Sequence, residues 1–390
     1  MAPSFRRFLR TAFSRPWVWI TLGVLTLLVR VAGRFFPMAI WTAYFPVFQA
    51  LRWIQATLLN WIPFSLAYLV FPAILLWILW PMFRPAQIPV ATLPRKQRYL
   101  RKLRRFGSVL GGLLFFFHIL WGFNYLHNPL AASLGQLRTG MTADELCYEA
   151  EWAARQAEAA RQAFVGVRPD SLDLAVMPPS LGDDMAAAVT SALDKMGLPH
   201  CKAGSVKRIH PHGFLLRFGI AGIYNPFTGE GNVDAALVPA LQPAVMAHEL
   251  GHSMGYTDEG GCNFIGVLAC MLDPHPYYRY SGYLTYYQYV TGDLYQADPW
   301  MARMVRKTMD AGVQADLRAN YHTSLRYSGW LSDVGEKVNH TYLRSQGVAG
   351  GIVNYNRVVT YLLSWPDRAK FLPRRYSPYD TFPAQSPSIQ

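Results

Sequence analysis

The segment His248-Glu249-Leu250-Gly251-His252 carries the clearest chemical pattern in the chain. Residues four apart lie on one face of a helix, so both imidazoles can point at one metal ion while Glu249 reaches a water molecule beside it. Pro243 suits the first turn of such a helix, and Gly255 suits the left-handed position just past its end. The alternative is a pair of histidines that pack or cap on a helix without a metal.

A catalytic zinc needs a third protein ligand and an open position for water. A second helix is expected from about Asp258 to Leu272, because apolar residues recur there at helical spacing. Glu259, in its first turn, can turn back toward the first helix and is the preferred third ligand beside His248 and His252. Asp258 is the competing ligand. The alternative for Glu259 is a charge that the helix dipole favours at this end.

Other elements follow from local patterns. Phe214 to Tyr224 predicts a strand, and Asn225 to Gly229 predicts the turn that ends it. The edge of that strand could receive an extended substrate peptide. Helices are expected over Ala143 to Val165, Pro299 to Gly312, Val313 to Ser332 and Ile352 to Trp365.

Three apolar stretches are each long enough to cross a bilayer, which takes about 20 residues per helix. They run from about Trp17 to Phe36, Trp61 to Trp80 and Phe106 to Tyr125. Pro37 to Asn60, which contains a proline and an arginine, is expected at the membrane interface. A cleaved signal peptide is the alternative for the first stretch, but a clear small-residue cleavage site is missing.

Charge along the chain is uneven and orients these spans. The net charge is +13, and 16 of the 37 Lys and Arg precede Asp144, the first acidic residue. They cluster before the first span and between the second and third, and such segments stay cytoplasmic. Three crossings then place everything after Tyr125 outside. Topology and contact with the lipid bilayer account for the basic excess, so nucleic acid is not expected as a partner.

Four cysteines, Cys147, Cys201, Cys262 and Cys270, are too few for a disulfide scaffold, and no CxxC pair occurs. Buried thiols are the expected state of the last two. A disulfide between Cys147 and Cys201 is a further alternative if the domain faces an oxidising compartment.

The motif resembles the pattern of the gluzincin metallopeptidases, in which Glu-x-x-x-Asp follows on the next helix, and Glu259 to Asn263 matches it with Asn at the end. The whole chain resembles more closely a family of bacterial membrane proteins of unknown function (domain of unknown function 3810). The segments that carry this second resemblance are Trp121-Gly122-Phe123-Asn124-Tyr125, Thr228-Gly229-Glu230, Cys262-Asn263-Phe264, Arg279-Tyr280-Ser281-Gly282-Tyr283-Leu284, Val338-Asn339 and Tyr342-Leu343.

The gluzincin resemblance implies Zn²⁺ held by His248, His252 and Glu259, with Asn263 orienting a ligating histidine from behind. The second family has an acidic residue followed by Ala before its Asn-Phe pair, where this chain has Gly261-Cys262. If that acidic residue were the ligand, the site of this chain would be incomplete.

Hydrolysis also needs a donor for the developing oxyanion, commonly a Tyr, His or Arg. Arg279, Tyr280 and Tyr283 follow the second helix and are the nearest candidates. Arg-Tyr-Ser-Gly recurs at Arg326 to Gly329, however, and each aromatic ring has packing as its alternative role.

These patterns predict a mainly α protein with a small β-sheet. Residues 1–125 would form a three-helix transmembrane anchor, 126–373 a zincin-like metallopeptidase domain and 374–390 an irregular tail. The expected function is hydrolysis of peptide bonds by a metal-activated water, at the bacterial plasma membrane, with a cytoplasmic N-terminus and an extracytoplasmic catalytic domain. The alternative is a non-catalytic zinc-binding membrane sensor or scaffold that retains the motif.

Overall fold

The computed structural model describes residues 16–83, 94–345 and 357–373. The chain divides into two compact units, 1–127 with 225–230, and 128–224 with 231–390. The described residues are mainly helical with a three-stranded sheet, as the sequence predicts. The tail expected over 374–390 lies outside the described residues.

The first unit is helical. Two of its helices, α1 and α4, approach closely where a Cβ on Gly23 would lie 2.5 Å from Cα of Gly111. Only residues without a side chain permit such an approach. The helices are α1 (Pro16–Ala32), α2 (Pro37–Leu59), α3 (Ala67–Phe83) and α4 (Arg95–Leu120).

One described helix, α4, is long and apolar enough to cross a membrane by length and composition. The first predicted span is only 17 residues long as α1, because a turn at 33–36 ends it. The second begins only at Ala67, since the chain turns at 61–66 around Pro63. The three-helix anchor is therefore not confirmed. The basic run predicted between two spans forms the first turns of α4.

A buried arginine, Arg52, lies on α2, in the stretch expected at the interface. Its guanidinium donates to the carbonyl of Gly229 at 2.9 Å and to Oε1 of Gln55 at 2.8 Å. The Gln55 amide in turn donates to the carbonyls of Pro226 and Phe227, each at 3.1 Å. The predicted turn before Glu230 is confirmed, and these bonds satisfy its buried carbonyl groups.

The second unit is built around one helix, α9, in which 11 of the 14 residues are buried. Helices α7, α8, α10 and α14 contact it. The helices of the unit are α5 (Pro129–Leu134), α6 (Ala143–Val165), α7 (Leu181–Lys195), α8 (Gln242–Ser253), α9 (Glu259–Leu272), α10 (Pro276–Ala297), α11 (Pro299–Thr308), α12 (Ala311–Tyr327), α13 (Trp330–Ser345), α14 (Val358–Ser364) and α15 (Arg368–Phe371).

The helix predictions agree with these bounds in part: the helix predicted over Val313 to Ser332 ends at Tyr327, and α13 begins at Trp330. The helix over Ala143 to Val165 is confirmed, and Thr142 caps its N-terminus in a capping box. The break predicted at Gly312 falls earlier, because Asp310 accepts hydrogen bonds from the backbone of Gly312 and Val313 and caps α12. Of the predicted helix over 352–365, α14 is the described part.

The sheet has the order β1-β3-β2. Strand β1 (Val206–Ile209) pairs in parallel with β3 (Glu230–Asp234), with Val206 opposite Gly231. Strand β2 (Gly222–Asn225) lies at the other edge of β3. Every residue of β3 is buried, so the central strand belongs to the core.

The strand predicted over Phe214 to Tyr224 is wrong for most of its length. Only its end forms β2, and the rest forms turns and a short 3₁₀ helix, Leu216–Phe218. The reason is Asp234, whose buried carboxylate accepts backbone N–H groups of Gly213 and Leu215 at 2.7 Å each, and of Leu216 at 3.1 Å. Backbone groups held in this way are not available to a neighbouring strand.

Candidate metal site

Helices α8 and α9 cross at two glycines. A Cβ on Gly266 would lie 2.9 Å from both the Ala244 carbonyl oxygen and the His248 nitrogen, and a Cβ on Gly251 would lie 3.4 Å from Sγ of Cys262. The pairing of early α8 with later α9 shows that the helices run antiparallel. The first turn of α9 therefore lies beside the end of α8, where the histidines are.

Three side chains meet at this crossing. Nε2 of His248 lies 3.1 Å from Nε2 of His252, and Oε2 of Glu259 lies 3.4 Å from each of these nitrogens. The three predicted ligands thus form one cluster, which could hold a metal ion. A tetrahedral ion with N and O ligands at about 2.0–2.2 Å separates them by about 3.4 Å, so the spacing suits such an ion.

Charge in the cluster favours a cation between the three groups. Burial opposes ionisation of Glu259, but the two facing histidines outweigh it and hold the pKa of this carboxyl far below its usual value. Burial also opposes protonation of His252, yet Cys262 and Glu259 raise the pKa of that imidazole well above its usual value. A metal ion would take the place of the proton that His252 carries in the metal-free cluster.

Access to the cluster is partial. The side chains of His248 and Glu259 are each 13 % exposed, and that of His252 is 7 % exposed. The cluster is therefore nearly enclosed, with one side that water can reach.

The loop between the two helices orients His252. Nδ1 of this ring lies 2.8 Å from the carbonyl oxygen of Tyr256 and 3.3 Å from Sγ of Cys262. A carbonyl can only accept, so Nδ1 carries a proton, and in the neutral ring the lone pair lies on Nε2, which faces the cluster. Asn263, expected from the sequence to orient a ligating histidine, is half-buried on α9, and its role stays a prediction.

Glu249 lies on another side of α8, against the β2-β3 hairpin. A Cβ on Gly222 would lie 2.5 Å from Oε1 of Glu249, and a Cβ on Gly231 would lie 2.8 Å from its Cβ. Two glycines in adjacent strands thus make room for the carboxylate. Its Oε2 is buried and has no hydrogen-bond partner among the described residues. Burial raises the pKa of Glu249 to about 7, despite the opposing effect of both histidines.

Asp258, the competing ligand, has a different position. Its carboxylate accepts the backbone N–H of Gly261 at 2.7 Å, which caps the start of α9, and the Tyr361 hydroxyl at 3.0 Å. These bonds keep it out of the three-residue cluster.

The predicted oxyanion donors are bonded or packed elsewhere. Tyr280 donates to Asp316 at 2.6 Å, within a buried network that includes Arg161. Tyr283 packs edge-on against Trp152, with the ring centroids 5.5 Å apart. Burial raises the pKa of Tyr283, and the charge of Arg279 partly opposes this rise. Tyr280 and Tyr283 thus contact residues outside the three-residue cluster, and the role of Arg279 stays a prediction.

Tyr289 is a nearby candidate that the sequence analysis missed. Burial raises the pKa of its phenol, and the charge of Glu259 raises it further. Gly282, two helical turns earlier on α10, packs on Val267 and Met271, so this face of α10 faces α9. In the sequence, the seven-residue spacing between Gly282 and Tyr289 could have indicated that both lie on one face of the helix.

The cysteines are all free thiols, so the bridge left open between Cys147 and Cys201 does not form. Cys262 and Cys270 are buried, as expected. The Cys262 thiol contacts Nδ1 of His252, on the side of the ring away from the cluster.

Fold and cluster together define a mainly helical protein with a two-histidine, one-glutamate candidate metal site. The chain belongs to a family described as proteins of unknown function, DUF3810, whose model matches residues 45–363. No curated protein and no solved structure matches it.

Replacing Glu249 by Gln should change how stability depends on pH in protein freed of metal by a chelator. A carboxyl whose folded pKa is raised from 4.5 to about 7 destabilises the folded state as pH rises through this window. We expect the variant to gain about 2 kcal/mol over wild type between pH 5 and pH 8, measured by denaturant unfolding of the full chain. A difference independent of pH would contradict the burial of this charge.

Proposed function

We propose that the protein is a membrane-associated, zinc-dependent peptidase of gluzincin type. The supporting observation is the triangle of Nε2, Nε2 and Oε2 atoms from His248, His252 and Glu259, 3.1–3.4 Å apart, with a separate buried carboxylate, Glu249, beside it. Ligand set and base have distinct positions. A catalytic zinc site requires this division of roles.

Zinc is the metal that this donor set suits best. Two imidazoles and one carboxylate are the ligands of several zinc hydrolases, and a fourth position is left for water. When bound, the ion would act as a Lewis acid that lowers the pKa of water and polarises a carbonyl group. Carboxylate-rich sites of higher coordination number suit calcium or magnesium instead.

Glu249 is the proposed general base. It would take a proton from the attacking water and pass it to the leaving amine. A pKa near 7 suits a group that must accept and release a proton near neutral pH. The unpartnered Oε2 leaves one carboxylate oxygen free for this role.

Tyr289 is the proposed donor to the developing oxyanion. It lies close enough to Glu259 to sense its charge, and its hydroxyl makes no hydrogen bond among the described residues. A phenol held beside the ligands can donate to the charge that grows on the substrate oxygen.

An extended peptide is the proposed substrate. Strand β2 forms an edge of the sheet, and the strand carries Gly222 directly against Glu249. A peptide added to this edge would form backbone hydrogen bonds with β2. Such pairing selects an extended peptide rather than one particular side chain.

The proposed location is the bacterial plasma membrane. The described helix α4 has the length and composition of a span, and its basic first turns would stay at the cytoplasmic side. The remainder of the chain, with the candidate site, would then be extracytoplasmic.

Substitution of the ligands should remove zinc. We expect about one zinc per purified full-length chain, and at least tenfold weaker binding in His252→Ala and Glu259→Gln, measured by elemental analysis after equilibration with buffered zinc. Asp258→Asn is the matched control, an acidic residue one position away that caps a helix, and it should retain zinc. Loss of zinc in the control but not in Glu259→Gln would reassign the third ligand.

Glu249→Gln should separate catalysis from metal binding. We expect hydrolysis of a fluorogenic peptide library to fall about 10²–10⁴-fold while zinc content is unchanged, because only the base is removed. Unchanged hydrolysis would refute the assigned base. Wild-type protein that binds zinc without cleaving, and whose cellular function survives Glu249→Gln, would favour the sensor or scaffold alternative.

Tyr289→Phe should lower kcat by about 10²-fold with little change in KM, since the hydroxyl would act in the transition state. Tyr283→Phe is the matched control on the same helix and should leave kcat unchanged. Steady-state kinetics on the peptide that wild type cleaves best would measure both. A larger loss of kcat in Tyr283→Phe than in Tyr289→Phe would assign oxyanion donation to Tyr283 instead.

A further inference from the structure

A cleft of about 570 Å³ lies between α10, α11 and α12, within the second unit. Each helix contributes one stripe of side chains at helical spacing. The lining of the cleft contains neither Tyr289 nor any residue of the metal cluster, so the cleft is separate from the candidate metal site. Its residues are Tyr287, Gln288, Thr291, Gly292 and Tyr295 from α10, Ala302, Arg303 and Arg306 from α11, and Leu317, Asn320, Tyr321 and Ser324 from α12.

The charge of this cleft is positive. Arg303 and Arg306 are exposed and form no ion pair among the described residues, and the lining contains no acidic side chain. Asp310 caps α12, and Asp316 pairs with Arg161 in the core. Of the other acidic residues near this region, Asp293 lies outside the lining, Asp298 caps α11, and Glu158 accepts the backbone N–H of Asp310.

Arginine, amide and hydroxyl groups together suit a phosphate. A guanidinium binds phosphate oxygens through two parallel hydrogen bonds. Gln288, Asn320 and Ser324 supply neutral donors on the other walls. The polar groups of the cleft therefore match an anionic headgroup better than a neutral ligand.

The surface beside the cleft is apolar and aromatic. Trp300 is 64 % exposed, Tyr321 is 59 % exposed, and Met304 and Leu325 are exposed as well. Trp300 and Met304 lie one turn apart on α11, which also carries both arginines. Exposed Trp and other apolar residues beside basic residues on a helix favour contact with the surface of a membrane.

We propose that this cleft binds the phosphate headgroup of an anionic phospholipid, while Trp300, Met304 and Leu325 enter the interfacial layer. Charge complementarity and the apolar surroundings both favour a lipid over a soluble ion. The second unit would then contact the bilayer through its own surface, independently of any transmembrane helix and of zinc.

The test is lipid binding by the purified full-length chain in non-ionic detergent, followed by isothermal titration calorimetry. Short-chain phosphatidylglycerol is the probe, short-chain phosphatidylcholine tests charge, and glycerol phosphate tests the headgroup alone. Two variants alter the cleft by different means. Arg303→Gln with Arg306→Gln removes the charge, and Gly292→Leu fills the cleft, since a Cβ on Gly292 meets no atom within 4 Å.

We expect phosphatidylglycerol to bind at least tenfold more tightly than the other two probes, and both variants to weaken it at least tenfold. Arg318→Gln, an exposed arginine of α12 outside the cleft, is the matched control and should bind as wild type. Equal binding of both lipids, or wild-type binding by the cleft variants, would overturn the proposal. Glycerol phosphate binding as tightly as the lipid would overturn it in favour of a soluble phosphate ligand.

Discussion

The crossing of α8 and α9 is the constraint on which the site depends. Gly266 lets the backbones of the two helices approach, and the approach is closest next to His248. Because the helices run antiparallel and only five residues separate them, Glu259 comes back to within 3.4 Å of both imidazoles. A side chain at position 266 would separate the helices and with them the three ligand atoms, even though no ligand had been changed.

Enclosure of polar groups sets the chemistry of the site. The same burial that raises the pKa of Glu249 leaves one of its oxygens unpartnered, a costly arrangement unless a ligand or water uses it. Glycines on two strands are what bring the sheet this close to the carboxylate. Unpartnered buried polar groups of this kind cost stability and are found at functional sites.

Sequence patterns predicted the three-residue cluster, both helices that carry it and the mainly helical class, because helical spacing fixes which side chains share a face. They failed where distant residues decide the local structure. The hydrogen bonds of Asp234 turned most of a predicted strand into a loop. A backbone partner such as the Tyr256 carbonyl beside His252 leaves no side-chain pattern from which it could be predicted. The first and second predicted spans were too long because apolar composition does not show where a helix ends.

Zinc K-edge X-ray absorption of the metal-loaded full-length protein would examine the proposed coordination itself. Two imidazole nitrogens and carboxylate or water oxygens should surround the ion at about 2.0–2.2 Å, with no sulfur. Cys262 makes this a demanding test, since its thiol lies 3.3 Å from Nδ1 of His252 but on the side away from the cluster. A sulfur shell at about 2.3 Å would place the metal on Cys262 and contradict the two-histidine, one-glutamate site.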